Sequence, residues 1–121
     1  MPANIVNWFD IPVSDMDRAV SFYAAVIGQS LSRYSLPNLE GATFPETGVS
    51  GTLLKGTGFV PSTDGAVVYL DGGDDLAPML GRAEKAGATV ILPKTEIPGG
   101  RGFFAYFLDT EGNRIGLHSR G

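Results

Sequence analysis

The feature that most constrains this chain is a repeat of one strand, one helix and three short strands, with a period of about 60 residues. Residues 4–13 and 65–71 are rich in β-forming side chains and predict the first strand of each copy. Each is followed by apolar residues at helical spacing, and the two helices are expected to end at Gly28 and Gly87. The repeat therefore predicts two tandem βαβββ modules.

The remaining signals agree between the two copies. Ser14 is expected to cap the first helix, and Asp74 or Asp75 the second. The predicted buried stripes are Met16, Ala19, Val20, Tyr23, Val26 and Ile27 in one helix and Leu76, Met79, Leu80, Ala83 and Ala86 in the other. The predicted short strands are 29–36, 40–45 and 49–55, then 88–93, 102–108 and 113–118. We predict a single α+β domain over residues 1–121, with module 1 at about 1–56 and module 2 at about 64–121.

Composition narrows the class of protein. Hydrophobic residues make up 43% of the chain and charged residues 18%, a mix typical of a globular rather than a disordered chain. The net charge is −4 and no basic cluster occurs, which argues against nucleic acid and anionic membranes as partners. The chain has no cysteine, so we exclude thiolate chemistry and expect a cytoplasmic protein without a signal peptide or membrane span.

Two stretches make the order of elements recognisable. One runs from Ile11-Pro12-Val13-Ser14-Asp15-Met16-Asp17-Arg18-Ala19 through Phe22-Tyr23 to Gly28, and the other is Asp109-Thr110-Glu111-Gly112-Asn113-Arg114-Ile115-Gly116-Leu117-His118. Together with the repeat, they resemble the vicinal oxygen chelate superfamily, which includes glyoxalase I, bleomycin-resistance proteins and extradiol dioxygenases. The resemblance implies that each module curls into half a barrel, that the curved sheets enclose a central cleft, and that the protein is a homodimer.

The resemblance also implies where a metal would bind. Metal-dependent members take ligands from the first and last strands of each module, and those positions correspond here to Trp8, Gly51, Val67 and Gly116. None of these side chains can bind a divalent cation, which prefers imidazole, carboxylate or thiolate ligands. We therefore expect no metal and no other cofactor.

Strand alternation predicts which side chains share a face with the lost ligand positions. Asp10 lies two residues from Trp8, Tyr69 two from Val67, and His118 two from Gly116. The resemblance adds Phe104 and Tyr106, and Arg101 follows two glycines in a loop from which it could clamp an anionic group. The predicted ligand-binding residues are Trp8, Asp10, Val67, Tyr69, Arg101, Phe104, Tyr106 and His118.

These residues favour a glyoxalase/bleomycin-resistance-like protein that binds a small apolar or aromatic molecule without a metal. Two alternatives stay open. One is a metal-free lyase or isomerase that uses Asp10 or His118 as acid or base, and the other is a regulatory or accessory module with a vestigial cavity. Whether the protein is an enzyme is undecided, but metal-dependent glyoxalase activity is not expected. Exposed sheet edges further predict a symmetric homodimer.

Overall fold

The computed structural model describes residues 4–46 and 48–121. Within them, one strand, one helix and three strands occur twice in succession, which confirms the predicted βαβββ modules. The elements of the first module are β1 (Trp8–Pro12), α1 (Met16–Ile27), β2 (Ser32–Leu36), β3 (Leu39–Thr43) and β4 (Ser50–Gly56). Those of the second are β5 (Val68–Asp71), α2 (Ala77–Lys85), β6 (Thr89–Glu96), β7 (Phe103–Leu108) and β8 (Arg114–Ser119).

Each module forms an open four-stranded mixed sheet. The strand orders are β1-β4-β3-β2 and β5-β8-β7-β6, so the two sheets have the same topology. The first and last strands of each module pair in parallel, and the other pairs are antiparallel. Within the described residues, no helix is both long enough and apolar enough to span a membrane.

The helix ends differ in part from the predictions. Gly28 ends α1 with a left-handed φ of 72°, as expected. The predicted Ser14 cap is wrong, because the extended backbone of Asp15 lets its own carboxylate accept the Arg18 N–H at 3.0 Å. Asp74 is likewise not a cap, since its carboxylate accepts instead from the Arg120 guanidinium at 2.9 Å.

Aromatic side chains form the centre of a core that includes residues of both modules. Tyr23 and Phe22 of α1 are fully or almost fully buried and pack edge-on at 4.9 Å between ring centroids. Phe22, which the predicted stripe omitted, also contacts Phe107 of β7 at 5.9 Å between centroids. Core packing therefore joins the first helix to the second sheet as well as to its own sheet.

A buried turn between β7 and β8 fixes one module to the other. Asp109 Oδ2 accepts hydrogen bonds from the Tyr23 hydroxyl at 2.5 Å and from the Asn113 amide at 3.0 Å. Its Oδ1 accepts from the backbone N–H groups of Glu111 and Asn113, which closes the turn. The Asn113 amide also donates to the Pro12 carbonyl oxygen of the first module at 2.7 Å. Burial and the Asp109 carboxylate hold the pKa of Tyr23 well above its usual value, so the phenol remains a donor.

Glu111 of the same turn contacts the start of α1. Its Oε1 accepts from the Ser14 hydroxyl at 3.0 Å and from the backbone N–H groups of Ser14 and Asp15, both at 2.8 Å. Its Oε2 accepts from Arg18 Nε at 2.6 Å, and the Glu111 side chain is fully buried. The carboxylate thus lies where the N–H groups and dipole of a helix N-terminus favour a negative charge.

The Glu111 contact predicts a specific pH dependence of folding. Burial alone would raise the pKa of this carboxyl, but the bonds from Arg18, Asp15 and Ser14 outweigh burial and lower the pKa to about 2. A carboxyl group whose pKa is lowered in the folded state stabilises the protein at pH values above its ordinary pKa. This stabilisation is lost as the pH falls toward 2. Glu111→Gln should therefore reduce the free energy of unfolding at pH 7 by an amount on the order of 2 kcal/mol. This is less than the full pKa shift would give, because Arg18 is half exposed and solvent screens its charge.

The measurement is urea unfolding followed by circular dichroism between pH 7 and pH 2. The wild type should lose more stability than Glu111→Gln below pH 4.5, so the two curves converge in acid. Glu84→Gln is a matched control, since Glu84 is exposed and forms no ion pair within residues 4–46 and 48–121. Parallel curves for wild type and Glu111→Gln would contradict the prediction.

Candidate functional site

An open groove with a volume of about 740 Å³ lies on the second module. Cross-strand pairing places Tyr69, Gly116, Tyr106, Phe104 and His118 on one face of the second sheet, opposite the face that carries the buried core. The lining residues are Tyr69, Leu70, Asp71, Gly73, Ile97, Pro98, Phe104, His118 and Arg120. Most of this surface is apolar, and the polar groups are few.

The glycine at position 116 shapes the floor of this groove. Gly116 of β8 pairs with Tyr69 on one side and with Tyr106 on the other. A Cβ at Gly116 would lie 2.5 Å from the Tyr69 ring, so only glycine lets that ring lie flat across β8. The two tyrosine hydroxyls meet at 2.5 Å, and Phe104 packs edge-on against Tyr106 at 5.4 Å between centroids.

His118 is anchored at the edge of the groove. Its Nε2 lies 2.8 Å from the carbonyl oxygen of Arg101. A carbonyl oxygen only accepts hydrogen bonds, so Nε2 carries a hydrogen and donates it in this contact. Arg101 contributes its backbone here, while its side chain is exposed and does not line the groove.

The structure does not bring Trp8 and Asp10 into this groove. Trp8 lies on β1 of the first module with 42% of its surface exposed. Asp10 is exposed and lines a different pocket of about 160 Å³, together with Ser62, Asp64 and Asn113. Within one chain, the expected continuous cavity is therefore divided, and its second-module residues Tyr69, Phe104 and His118 lie together without Trp8 or Asp10.

Two further positions differ from the expected arrangement. Gly51 pairs with Phe9, whereas Trp8 pairs with Ser50, so Gly51 lies on the opposite face from Trp8. The expectation that Gly51 lies on the same face as Trp8 is wrong, because the register differs by one residue. Ser50 and Thr52 lie on that face instead. Val67 precedes β5 and lines a crevice of about 820 Å³ that also includes Phe9 of the first module.

Comparison with known proteins identifies the family. The model of the Glyoxalase/Bleomycin resistance protein/Dioxygenase superfamily matches residues 5–117. The chain belongs to this superfamily. No curated protein matches the sequence.

Several solved structures share the fold. TnmS3, described as an antibiotic binding protein from Streptomyces sp. CB03234, is 24% identical with a TM-score of 0.67, over 100% of this chain and 99% of that chain. The hypothetical protein SA1046 from S. aureus is 17% identical with a TM-score of 0.66, over 98% of this chain and 94% of that one. Glyoxalase I from Zea mays is 17% identical with a TM-score of 0.75, and the 96% of this chain that aligns spans only 44% of the maize chain. At these identities, the likeness establishes the fold.

The residues present do not fit the divalent metal that many superfamily members hold. The corresponding positions are Trp8 and Ser50 or Thr52 in the first module and Val67 and Gly116 in the second. An indole, a hydroxyl, an isopropyl group and a hydrogen atom do not form a set of carboxylate or imidazole ligands. In the part of the chain that the structure describes, no three His, Asp or Glu side chains are grouped so that they could hold a metal ion.

Sequence reasoning missed several groove residues. Asp71 pairs with His118, and alternation from Tyr69 was a sufficient signal to place it there. Ile97 and Pro98 line the groove from the glycine-rich loop, in which Arg101 was the residue predicted to contact the ligand. Arg120 lies beyond β8, and nothing in the local sequence pattern marks it as part of the groove.

Proposed function

We propose that this chain is a superfamily member that binds a small apolar or aromatic molecule in the groove of its second module, without a metal. The observation that carries this proposal is the groove itself. Its volume of about 740 Å³ lies within the range of about 300–1,000 Å³ typical of small-molecule sites. Its mostly apolar walls with a few converging polar groups are also typical of such sites.

The chemistry of the walls supports an aromatic ligand. Phe104 and Tyr69 offer ring surfaces, and Ile97 and Pro98 line the groove from the glycine-rich loop. Aromatic side chains stack on flat apolar molecules in offset or edge-on geometries and bury large areas in doing so. Among the described residues that line the groove, Arg120 is the one arginine or lysine, and because its side chain is largely exposed, solvent screens its attraction for an anionic ligand.

Binding without chemistry is favoured over catalysis because Asp10, one of the two candidate acid or base residues, does not line this groove. Asp10 and His118 line different pockets, one that includes first-module residues and one within the second module. General acid–base catalysis needs groups within hydrogen-bond reach of the same reacting centre. The likeness to an antibiotic binding protein over the full length of both chains supports the same choice.

The first test removes one wall of the groove. Phe104→Ala should weaken the binding of fluorene, a flat apolar probe, about tenfold or more, because the probe loses a partner for apolar burial. Equilibrium dialysis measures the affinity. Phe104 is only partly buried, so the variant should lose less stability than the roughly 3–5 kcal/mol typical of a core phenylalanine.

Ile91→Ala is a suitable control, because Ile91 is an exposed β6 residue outside the groove lining. It should bind fluorene as the wild type does. Failure of the wild type to bind the probe, or equal binding by Phe104→Ala, would contradict the proposed site.

The second test concerns metal. Because the superfamily ligand positions carry no suitable donors, purified protein should contain no stoichiometric zinc, nickel, manganese or iron. A chelator should leave the melting temperature unchanged. Elemental analysis that finds about one tightly bound ion per chain would refute this part of the proposal.

We also propose that the protein is a symmetric homodimer. All five residues of the edge strand β2 are exposed, and Tyr34 and Leu36 share the face that carries Trp8 in the first sheet. Unpaired edges with apolar neighbours are commonly covered by a second chain. Light scattering at micromolar concentration should give about twice the chain mass of 12.7 kDa, and the mass of a monomer would count against this assembly.

A further inference from the structure

Two phenols meet over the floor of the groove. Tyr69 and Tyr106 reach toward each other across Gly116, with their ring centroids 5.8 Å apart and their hydroxyl oxygens 2.5 Å apart. Tyr69 lines the groove and is 46% exposed, while Tyr106 is partly buried behind it. The groove therefore carries a coupled pair of hydroxyls and not one isolated tyrosine.

The tyrosine pair keeps one hydroxyl hydrogen that the bond between the two residues does not use. Each phenol has one hydrogen to donate, and only one of the two is used in the bond between them. Within residues 4–46 and 48–121, neither hydroxyl has another hydrogen-bond partner. When Tyr106 donates to Tyr69, the remaining hydrogen belongs to Tyr69 and is available at the groove surface.

The pair is suited to act as a donor at neutral pH. Burial is the main cause that raises the pKa of Tyr69, to about 12, so the phenol stays protonated at neutral pH. A hydroxyl that accepts a hydrogen bond is polarised and becomes a better donor in turn. Tyr106 thus strengthens the hydrogen bond that Tyr69 can give to a ligand.

The charges around the groove favour a neutral acceptor on the ligand. Asp71 pairs with His118 at the groove and places a carboxylate beside it. This charge disfavours a carboxylate or phosphate on the ligand, and Arg120 is engaged by Asp74. A carbonyl oxygen accepts a phenolic hydrogen bond without adding a charge.

From this geometry we propose that the Tyr69–Tyr106 pair determines ligand specificity, by donating one hydrogen bond to a neutral carbonyl oxygen on a flat aromatic ligand. The ligand class is then an aryl ketone or a similar aromatic carbonyl compound. This inference rests on the proposed function, because it concerns the same groove.

The experiment compares two probes of nearly the same shape, 9-fluorenone and fluorene, which differ by the carbonyl group. The wild type should bind 9-fluorenone about threefold to tenfold more tightly, the range expected for one net hydrogen bond. Tyr69→Phe should remove this preference and leave fluorene affinity unchanged, because the ring remains. Tyr106→Phe should keep a reduced preference, because Tyr69 retains its hydrogen but loses the polarising partner.

Infrared spectroscopy gives a second measurement that does not depend on affinity. The carbonyl stretching band of bound 9-fluorenone should lie at lower wavenumber in the wild type than in Tyr69→Phe. Thr89→Val is the control, since it removes an exposed strand hydroxyl outside the groove lining. It should behave as the wild type in both measurements.

The outcomes separate the two proposals. Binding of fluorene together with equal affinity for 9-fluorenone would overturn the carbonyl inference and leave the groove as a ligand site. A preference or band shift that survives Tyr69→Phe would overturn the inference as well. If the wild type binds neither probe, the proposed function and the inference both fail.

Discussion

The buried carboxylate of Asp109 is the contact on which the rest of this structure depends. It accepts four hydrogen bonds, from the Tyr23 hydroxyl, the Asn113 amide and two backbone N–H groups of its own turn. A buried charge is costly unless it is fully hydrogen-bonded, and here that requirement is met by groups from both modules. The same turn joins β7 to β8, the two strands that form the floor and back of the groove. The position of the groove is therefore fixed relative to the first helix.

The two sequence motifs that carry the family resemblance are partners of each other. The helix that begins after Asp15 and contains Tyr23 is contacted at its start by Glu111 and along its length by Asp109. Most of their residues lie outside the groove of the second module, and only the end of the second motif, with Gly116 and His118, reaches it. Their specificity as a pair reflects this structural junction, which explains why they identify a superfamily but do not identify its ligand.

The elements of this fold were predictable because they depend on local signals. Helical spacing, Gly28 and the alternation of apolar residues along short strands correctly gave both modules. The side of the sheet on which a residue lies was less predictable, because it depends on the register between strands. A one-residue error reverses the face, and this happened at Gly51. The sites of Trp8 and Asp10 depend on how the modules are arranged, a long-range property without a local pattern.

The turn at residues 109–113 has a consequence for biosynthesis. The Tyr23 hydroxyl and the Pro12 carbonyl are satisfied by groups that the ribosome adds long after the first module has been made. During translation, an N-terminal unit can begin to fold before the rest of the chain exists. The first module of this protein would then carry an unsatisfied phenol and an unoccupied helix start until Asp109 and Glu111 emerge. The native contacts of the first module can therefore be completed only after most of the second module has been synthesised.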